Sequence, residues 1–393
     1  MSVLRSRATV GLLALMLVAC QTASPVAPVT SAVTLATPTR TMSPSPTRSA
    51  TPSVTPPPPS PTPTPTPTPS PVPELRPLTF TLPIERLASI SDRNAQTLAL
   101  LAEFDLVGVE DLDFSADSQL LATSTKTAVA IWNLATGQLL WQATREPQMT
   151  GSNVLFSPDG GLLALSTFSA VDLFDVRSGQ SLGHFDYNLS GVSSIAFSAN
   201  GKLLGVGGAW DGAVDVRDIR TGQSLALGLE GPPRQIMSVA FSPDNQVFTA
   251  ASNFGYIRIW KLSNGKQLRE LAVPLEDLIG PIVFSRDGAN LTVVAGGFAA
   301  AALSIERWDV ASGKQLTEIE SLGRAAALSS DGRCLATVIG GDQVELIETA
   351  TGHTWYRFAH GERIDILVLS PDTRVLAVVD SSKAINLYGV VVP

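Results

Sequence analysis

The sequence predicts an all-β fold: a seven-bladed β-propeller of four-stranded blades, closed by its own first strand. Three observations carry this. One landmark recurs seven times, as "FSADS" at 114, "FSPDG" at 156, "FSANG" at 197, "FSPDN" at 241, "FSRDG" at 284, "LSSDG" at 328 and "LSPDT" at 369, a spacing of 41 to 44 residues. Such a period marks a propeller or a solenoid. The segments between landmarks read as strands, and no stretch of the body keeps a helical period. Finally, the chain stops at Pro393, soon after a third strand, while the fourth-strand segment "QTLALLAEF", residues 96–104, stands alone before the first copy.

Each copy contains the same four elements. Strand a alternates apolar and small residues, as in "VSSIAFS" at 192 and "IMSVAFS" at 236. The landmark's "PDG" or "ADS" forms the a–b turn, where Gly accepts a positive φ. Strand b is a short β-rich run such as "LLATST", "LLALST" or "CLATVI". Strand c alternates again ("AVAIW", "YIRIW") and ends in a second landmark: "IWNL" at 131, "LFDV" at 173, "VRDI" at 216, "IWKL" at 259, "RWDV" at 307, "LIET" at 346 and "NLYG" at 386. A "TG" or "SG" turn and a "QLxxL"-like run supply strand d. Seven a–b–c sets but only six following d strands leave residues 96–104 as the missing member. Leu98, Leu100 and Leu101 are expected to bury apolar surface in the seventh blade, and "SISDRNA" before them to form a short helical turn capped by Ser91 or Asp92.

The repeat length, the turns and the W-D-like end of strand c resemble the WD40 family of β-propellers over residues 94–393. Trp132, Trp260 and Trp308 keep the Trp of strand c. The Gly-His pair of that family is nearly absent, with Ala359-His360-Gly361 its nearest echo. The Asp of the family's buried polar network has no consistent counterpart, and Asp211 comes nearest. The blades are therefore expected to hold together chiefly by apolar packing. The resemblance implies a scaffold that binds proteins or peptides, with its b–c connections on the face that often receives partners.

The N-terminal part is of another kind. Residues 1–19 carry Arg5 and Arg7 and then the apolar run "VGLLALMLVA". That run is too short to span a bilayer, which takes roughly 20 helical residues, and has the proportions of a signal peptide. "LVAC", Leu17 to Cys20, resembles a bacterial lipobox, which implies cleavage before Cys20 and its acylation. Two or more acyl chains hold a protein stably on a membrane, whereas one does so marginally. Residues 20–77 are rich in Pro, Thr and Ser and hold 18 of the 28 prolines. Such a segment cannot bury a core and extends as a stalk. Residues 78–95 are a lead-in, and 96–393 the propeller.

Charge and composition exclude several classes. The formal charge is −8, and no basic run appears, which argues against nucleic acid and against electrostatic docking on anionic lipid. "GQSLG" at 179 spells a hydrolase elbow but occupies a c–d turn, without the strand-to-helix context that elbow needs. His184, His353 and His360 are too scattered for a metal cluster or a triad. Cys334 takes the place of Leu162 in its repeat and reads as a buried thiol. The acidic run Glu103, Asp105, Glu110, Asp111, Asp113 and Asp117 lacks a calcium-loop spacing and reads as a solvated rim. No metal or cofactor is expected.

One constellation remains. Phe168, Trp210, Phe254 and Phe298 fall in the b–c connections of consecutive blades. Together they form a candidate binding patch, or else fill space left by the missing polar network. The apolar "GGFAAAALS", residues 296–304, is the oversized b–c connection. The expected function is a non-catalytic protein- or peptide-binding scaffold: a monomer, lipid-anchored through Cys20 to a cell or outer membrane on the extracytoplasmic side. The alternatives are a propeller enzyme of the metal-dependent lactonase or quinone-dependent dehydrogenase type, and an envelope-assembly lipoprotein that adds a client strand to a blade edge.

Overall fold

The computed structural model describes residues 84–106, 108–145, 153–187, 189, 191–225, 229, 235–273, 278–296, 303–321, 326–382 and 384–392. The signal peptide, Cys20, the stalk and Phe298 lie outside the described residues. Those described form seven antiparallel sheets, with no helix beyond the 3-10 turns Ile84–Arg86 and Ala95–Thr97. Blade 1 is Val109–Phe114, Leu120–Thr125, Ala128–Asn133 and Leu139–Thr144, in chain order from the axis outward. Blades 2 to 6 start at Val154–Phe156, Val192–Phe197, Ile236–Phe241, Leu278–Phe284 and Ala326–Leu328, and blade 7 at Ile364–Leu369. Most of these first strands meet their neighbours round the axis, Val192–Phe197 meets Leu162–Ser166 of blade 2, and Ile364–Leu369 meets Val109–Phe114 to complete the circle.

Strand Ala99–Asp105 closes the seventh blade. It runs antiparallel to Ala384–Val391, with Leu100 opposite Tyr388 and Asp105 opposite Ala384. The side chains it buries differ in part from those expected: Leu98 and Leu101 are partly buried and pack against the cores of the seventh blade's two seams. Leu100 remains 49 % exposed, whereas Ala102 and Phe104 are each 7 % exposed. The cause is a β-bulge at Leu101, which shifts the in-out alternation by one residue. The outer strands beginning at Leu139, Ser181, Gln267, Gln315 and Thr354 carry the same shift. Phe104 packs 6.3 Å from Trp132 of blade 1 and, with Leu106, joins Leu112, Phe114, Val379 and Ile385 in one core. The closing strand thus seals blade 7 and its seam with blade 1.

The lead-in belongs to the fold as well. Leu87–Ala88 pairs with Val390 and Val391, so the closing sheet has five strands. Ile90 and Ala95 pack with Val338 and Leu346 of blade 6 and Leu376 of blade 7. The short turn falls at Ala95–Thr97, with Asn94 in the capping position rather than Ser91 or Asp92. Instead of capping, the Asn94 carboxamide oxygen accepts from the Ser91 amide (2.8 Å) and hydroxyl (3.1 Å). Blade 3 also departs from expectation. Among the described residues its sheet has three strands, and "TGQSLALGLE" contributes only the bridge Arg217–Ser224.

The two repeated landmarks have direct physical causes. In every a–b turn a Ser hydroxyl bonds a carboxylate or carboxamide two residues on, as in Ser242 to Asp244 (2.6 Å), and accepts the amide five residues on, here Val247 (2.9 Å). The Ser–Asp bond and the Gln246 amide hold the Asp244 carboxyl below the usual carboxylate range. Four of these turns place Gly at φ near +70°, but Ser118, Asn245 and Thr373 occupy the same position at φ 56° to 58°. The c–d glycine serves packing between blades. A Cβ on Gly179 would come within 2.8 Å of the Trp141 ring of the preceding blade, and one on Gly352 within 2.7 Å of Ile319.

Thr373 is β-branched and held in the left-handed region, so Thr373→Gly should stabilise the ring by about 1 kcal/mol, read as a higher urea midpoint with unchanged slope. Deleting residues 84–105 removes the closing strand and exposes an apolar edge. The shortened chain should lose its cooperative melt and aggregate, which calorimetry and light scattering would show.

Candidate functional site

The b–c connections present aromatic rings at the apices of tight turns. Thr167 makes the blade 2 turn: its hydroxyl accepts the Ala170 amide at 3.1 Å, which leaves Phe168 at the tip. In blade 3 the Asp211 carboxylate accepts the Ala213 amide (3.0 Å) beside Trp210. In blade 4 Gly255, at φ +76°, reverses the chain after Phe254. Phe168 is 40 % exposed, Trp210 66 % and Phe254 46 %. The rings therefore do not fill interior space. Tyr256, just after Phe254, is also exposed.

Backbone hydrogen bonds join the first two of these turns. The Val192 amide donates to Phe168 O (2.8 Å), and the Ala209 amide to Gly191 O (2.9 Å). Gly191 lies between them at φ +105°. A Cβ there would stand 3.6 Å from both the Phe168 and Trp210 rings and 3.0 Å from Ala209. The Phe168 and Trp210 rings thus flank Gly191. Among the described residues no His, Cys, Asp or Glu group could hold a metal.

The opposite face carries a broad cleft of about 1050 Å³, bordered by Arg286, Asp287, Asp331, Arg333 and Asp372. Its carboxylates are engaged by the turns themselves: Ser285 bonds Asp287 (2.6 Å), Ser329 bonds Asp331 (2.8 Å) and Ser370 bonds Asp372 (2.7 Å). Gly179 and Ser181 of "GQSLG" fall in a c–d turn and at the start of an outer strand. Cys334 is 2 % exposed, and burial pushes its thiol up to about 12.

Two polar features escaped the sequence. One is the remnant of the buried network. It lies in blade 7, on Asp380 rather than Asp211. Asp380 Oδ2 lies 3.1 Å from His360 Nε2 and accepts from Asn386 Nδ2 at 3.0 Å, and His360 Nδ1 meets the Tyr388 hydroxyl at 2.8 Å. Burial pushes the Asp380 carboxyl up, but hydrogen bonds from Ser382 and His360 outweigh it and hold the group below its ordinary value. Elsewhere the strand c tryptophans find other partners: Trp132 Nε1 donates to Thr123 Oγ1 and Trp308 Nε1 to Glu306, both at 3.0 Å.

The second feature corrects the solvated-rim expectation. Asp111 and Asp113 lie in the innermost strand of blade 1 and face blade 2. Asp111 Oδ2 accepts the Val154 amide (2.9 Å) and Asp113 Oδ2 the Phe156 amide (2.8 Å). Both residues keep some exposed surface, yet desolvation dominates and pushes each carboxyl up to about 7. Asp117, from the same run, is the acidic residue of the first a–b turn.

Blade number, strand order, turn chemistry and the Trp ending of strand c now stand together. The ring is a WD40-like β-propeller. Residues 108–297 of this propeller match the family of nucleolar protein 10-like N-terminal β-propeller domains. It is 34 % identical over 113 residues to an uncharacterized WD repeat-containing protein of Synechocystis, covering 28 % of this chain and 30 % of that one. It is 30 % identical over 196 residues to SEC12-like protein 1 of Arabidopsis thaliana, 48 % of each chain. A WD repeat-containing protein of Schistosoma mansoni, SL1-17, is 26 % identical over 169 residues, covering 43 % of this chain and 54 % of that protein. The propeller therefore spans about half, or less, of the length of these relatives.

Because the aromatic side chains are solvent-exposed, Phe168→Ser, Trp210→Ser and Phe254→Ser combined should leave the fold intact. Each change should alter stability by no more than about 0.5 kcal/mol, measured by urea unfolding.

Proposed function

We propose that this WD40-like propeller is a non-catalytic scaffold that binds a protein or peptide partner on its b–c face. One observation carries the reading: Phe168, Trp210 and Phe254 occupy equivalent turns of three consecutive blades, and all three are exposed. Aromatic side chains supply large contact area at low entropic cost and dominate interface energetics.

The entry point of the chain supports the same reading. Ser89 and Ile90 lie beside the a–b turn of blade 7, where the Ile90 amide donates to Thr373 O (2.8 Å) and the Ser89 hydroxyl to Asp372 O (3.0 Å). In a four-stranded meander the a–b and c–d turns share one face and the b–c connections lie on the other. The first described residues of the ring therefore lie on the face opposite the aromatic patch, with a membrane tether upstream of them in sequence. Acylation of Cys20 and the Pro-rich segment after it supply such a tether. The propeller is then displayed outside the cytoplasm as a monomer that needs no cofactor.

The test is affinity capture from native membranes of the producing cell, with the wild type and the triple serine variant compared by mass spectrometry. A partner retained by the wild type and lost by the folded variant supports the assignment. A partner retained equally by both removes the aromatic patch from it. Cys20→Ser should release the protein from membranes into the soluble fraction; unchanged membrane association would remove the lipid anchor.

A further inference from the structure

One position of the innermost strand joins the blades. In blades 1 to 4 the residue three before the strand's terminal Phe is polar: Asp111, Asn153, Ser194 and Ser238. Each reaches the next blade. Ser194 Oγ accepts the Val239 amide and Ser238 Oγ the Ile282 amide, both at 3.2 Å, while Asn153 Nδ2 donates to Ser193 O at 3.1 Å. Asp111 makes the equivalent bond to Val154. Three of these joints are neutral and one carries an ionisable acid. Blade 1 then adds a second acid. Asp113 stands where blades 2, 3 and 4 have Leu155, Ala196 and Ala240, and it takes the Phe156 amide from the same neighbouring strand.

We propose that the seam between blades 1 and 2 is a proton-tightened latch, held shut when Asp111 and Asp113 are protonated and loosened when both carry charge. The two acids face one strand from one side, so ionising both places like charges two residues apart at a poorly solvated joint. Among the described residues their surroundings supply no countercharge within the seam. Leu120–Thr125 and Val154–Phe156 contain no charged residue. On the blade 7 side Asp365 is paired with Arg363 at 3.5 Å. Glu110, adjacent in sequence, interacts with Arg145.

The sign follows from linkage. Carboxyls pushed up to about 7 in the fold bind protons that the unfolded chain releases near its ordinary 3.8. The stabilisation is complete below the unfolded value and is lost as pH rises toward about 7. Above that it stays constant. Each group lowers the folded-to-unfolded ratio by roughly tenfold per pH unit inside this window.

The ring itself supplies the neutral replacement. Asp111→Ser with Asp113→Ala copies blades 3 and 4, and Asp111→Asn with Asp113→Asn keeps the shape should the first variant fail to fold. Hydrogen exchange of the wild type should show protection of the Val154, Leu155 and Phe156 amides, corrected for intrinsic rates, falling at least about tenfold between pH 5 and 7.5. The double variants should hold that protection level and raise the melting temperature at pH 7.5. Glu306, pushed up to about 7 by burial, belongs to blade 5 and does not touch these amides. A wild type whose 154–156 protection is flat with pH, or double variants that lose protection as steeply as the wild type, would overturn the latch.

Discussion

The pairing of Ala99–Asp105 with Ala384–Val391 is the interaction on which the rest of the molecule depends. A chain of near-identical blades has no intrinsic reason to stop or to close. Taking the last outer strand from the front of the sequence gives the final blade a partner from a distant part of the chain and makes the ends mutually necessary. It also removes the free edge that an open array would offer for aggregation. The closing segment does more than complete a sheet. Ile90 and Ala95 wedge into the blade 6–7 seam and Phe104 into the blade 7–1 seam, so two of the seven inter-blade contacts rest on residues that precede the first repeat.

Given closure, the polar chemistry of the ring divides by face. On the a–b side the carboxylates of the repeat are used inside turns, bonded to buried serines and backbone amides. On the axis the joints between blades use a hydroxyl, a carboxamide or, once, a pair of acids. The large buried network that the family resemblance suggests is reduced to His360, Asp380, Asn386 and Tyr388 in the closing blade. Tyr388 stands directly opposite Leu100 of the closing strand, which places that network against the joint between the chain's two ends. The b–c side carries the exposed rings of Phe168, Trp210 and Phe254, and the proposed binding function rests on them.

The blade count, the strand grammar and the closing strand were all readable from spacing, because each repeat must bury the same faces and make the same turns. The boundaries of residues 96–104 were close to the observed Ala99–Asp105. Its buried face was read only in part: Leu98 and Leu101 pack against the core, but a one-residue bulge at Leu101 leaves no mark in the alternation of "QTLALLAEF" and turns Leu100 outward. Asp111 and Asp113 were misjudged for a related reason: an acidic run reads as solvated unless the backbone amides it accepts are known, and those come from a neighbouring blade. Asp380 was missed because "VVDSSK" resembles an ordinary turn, and only the folded ring brings it to His360. The exposure of Phe168, Trp210 and Phe254 depended on which residue of each connection reaches the apex, which Thr167, Asp211 and Gly255 decide.

Closure can be tested by covalent trapping. Asp105 and Ala384 are directly opposed across the closing pair. With both changed to Cys, in a chain carrying Cys20→Ser and Cys334→Ala, mild oxidation should give an intramolecular disulfide in the monomer, mapped by peptide mass spectrometry. The link should raise stability by roughly 4–5 kcal/mol, as expected for a very long loop. Thiols that stay free in the folded monomer, or that link only between molecules, would contradict a ring sealed by its own first strand.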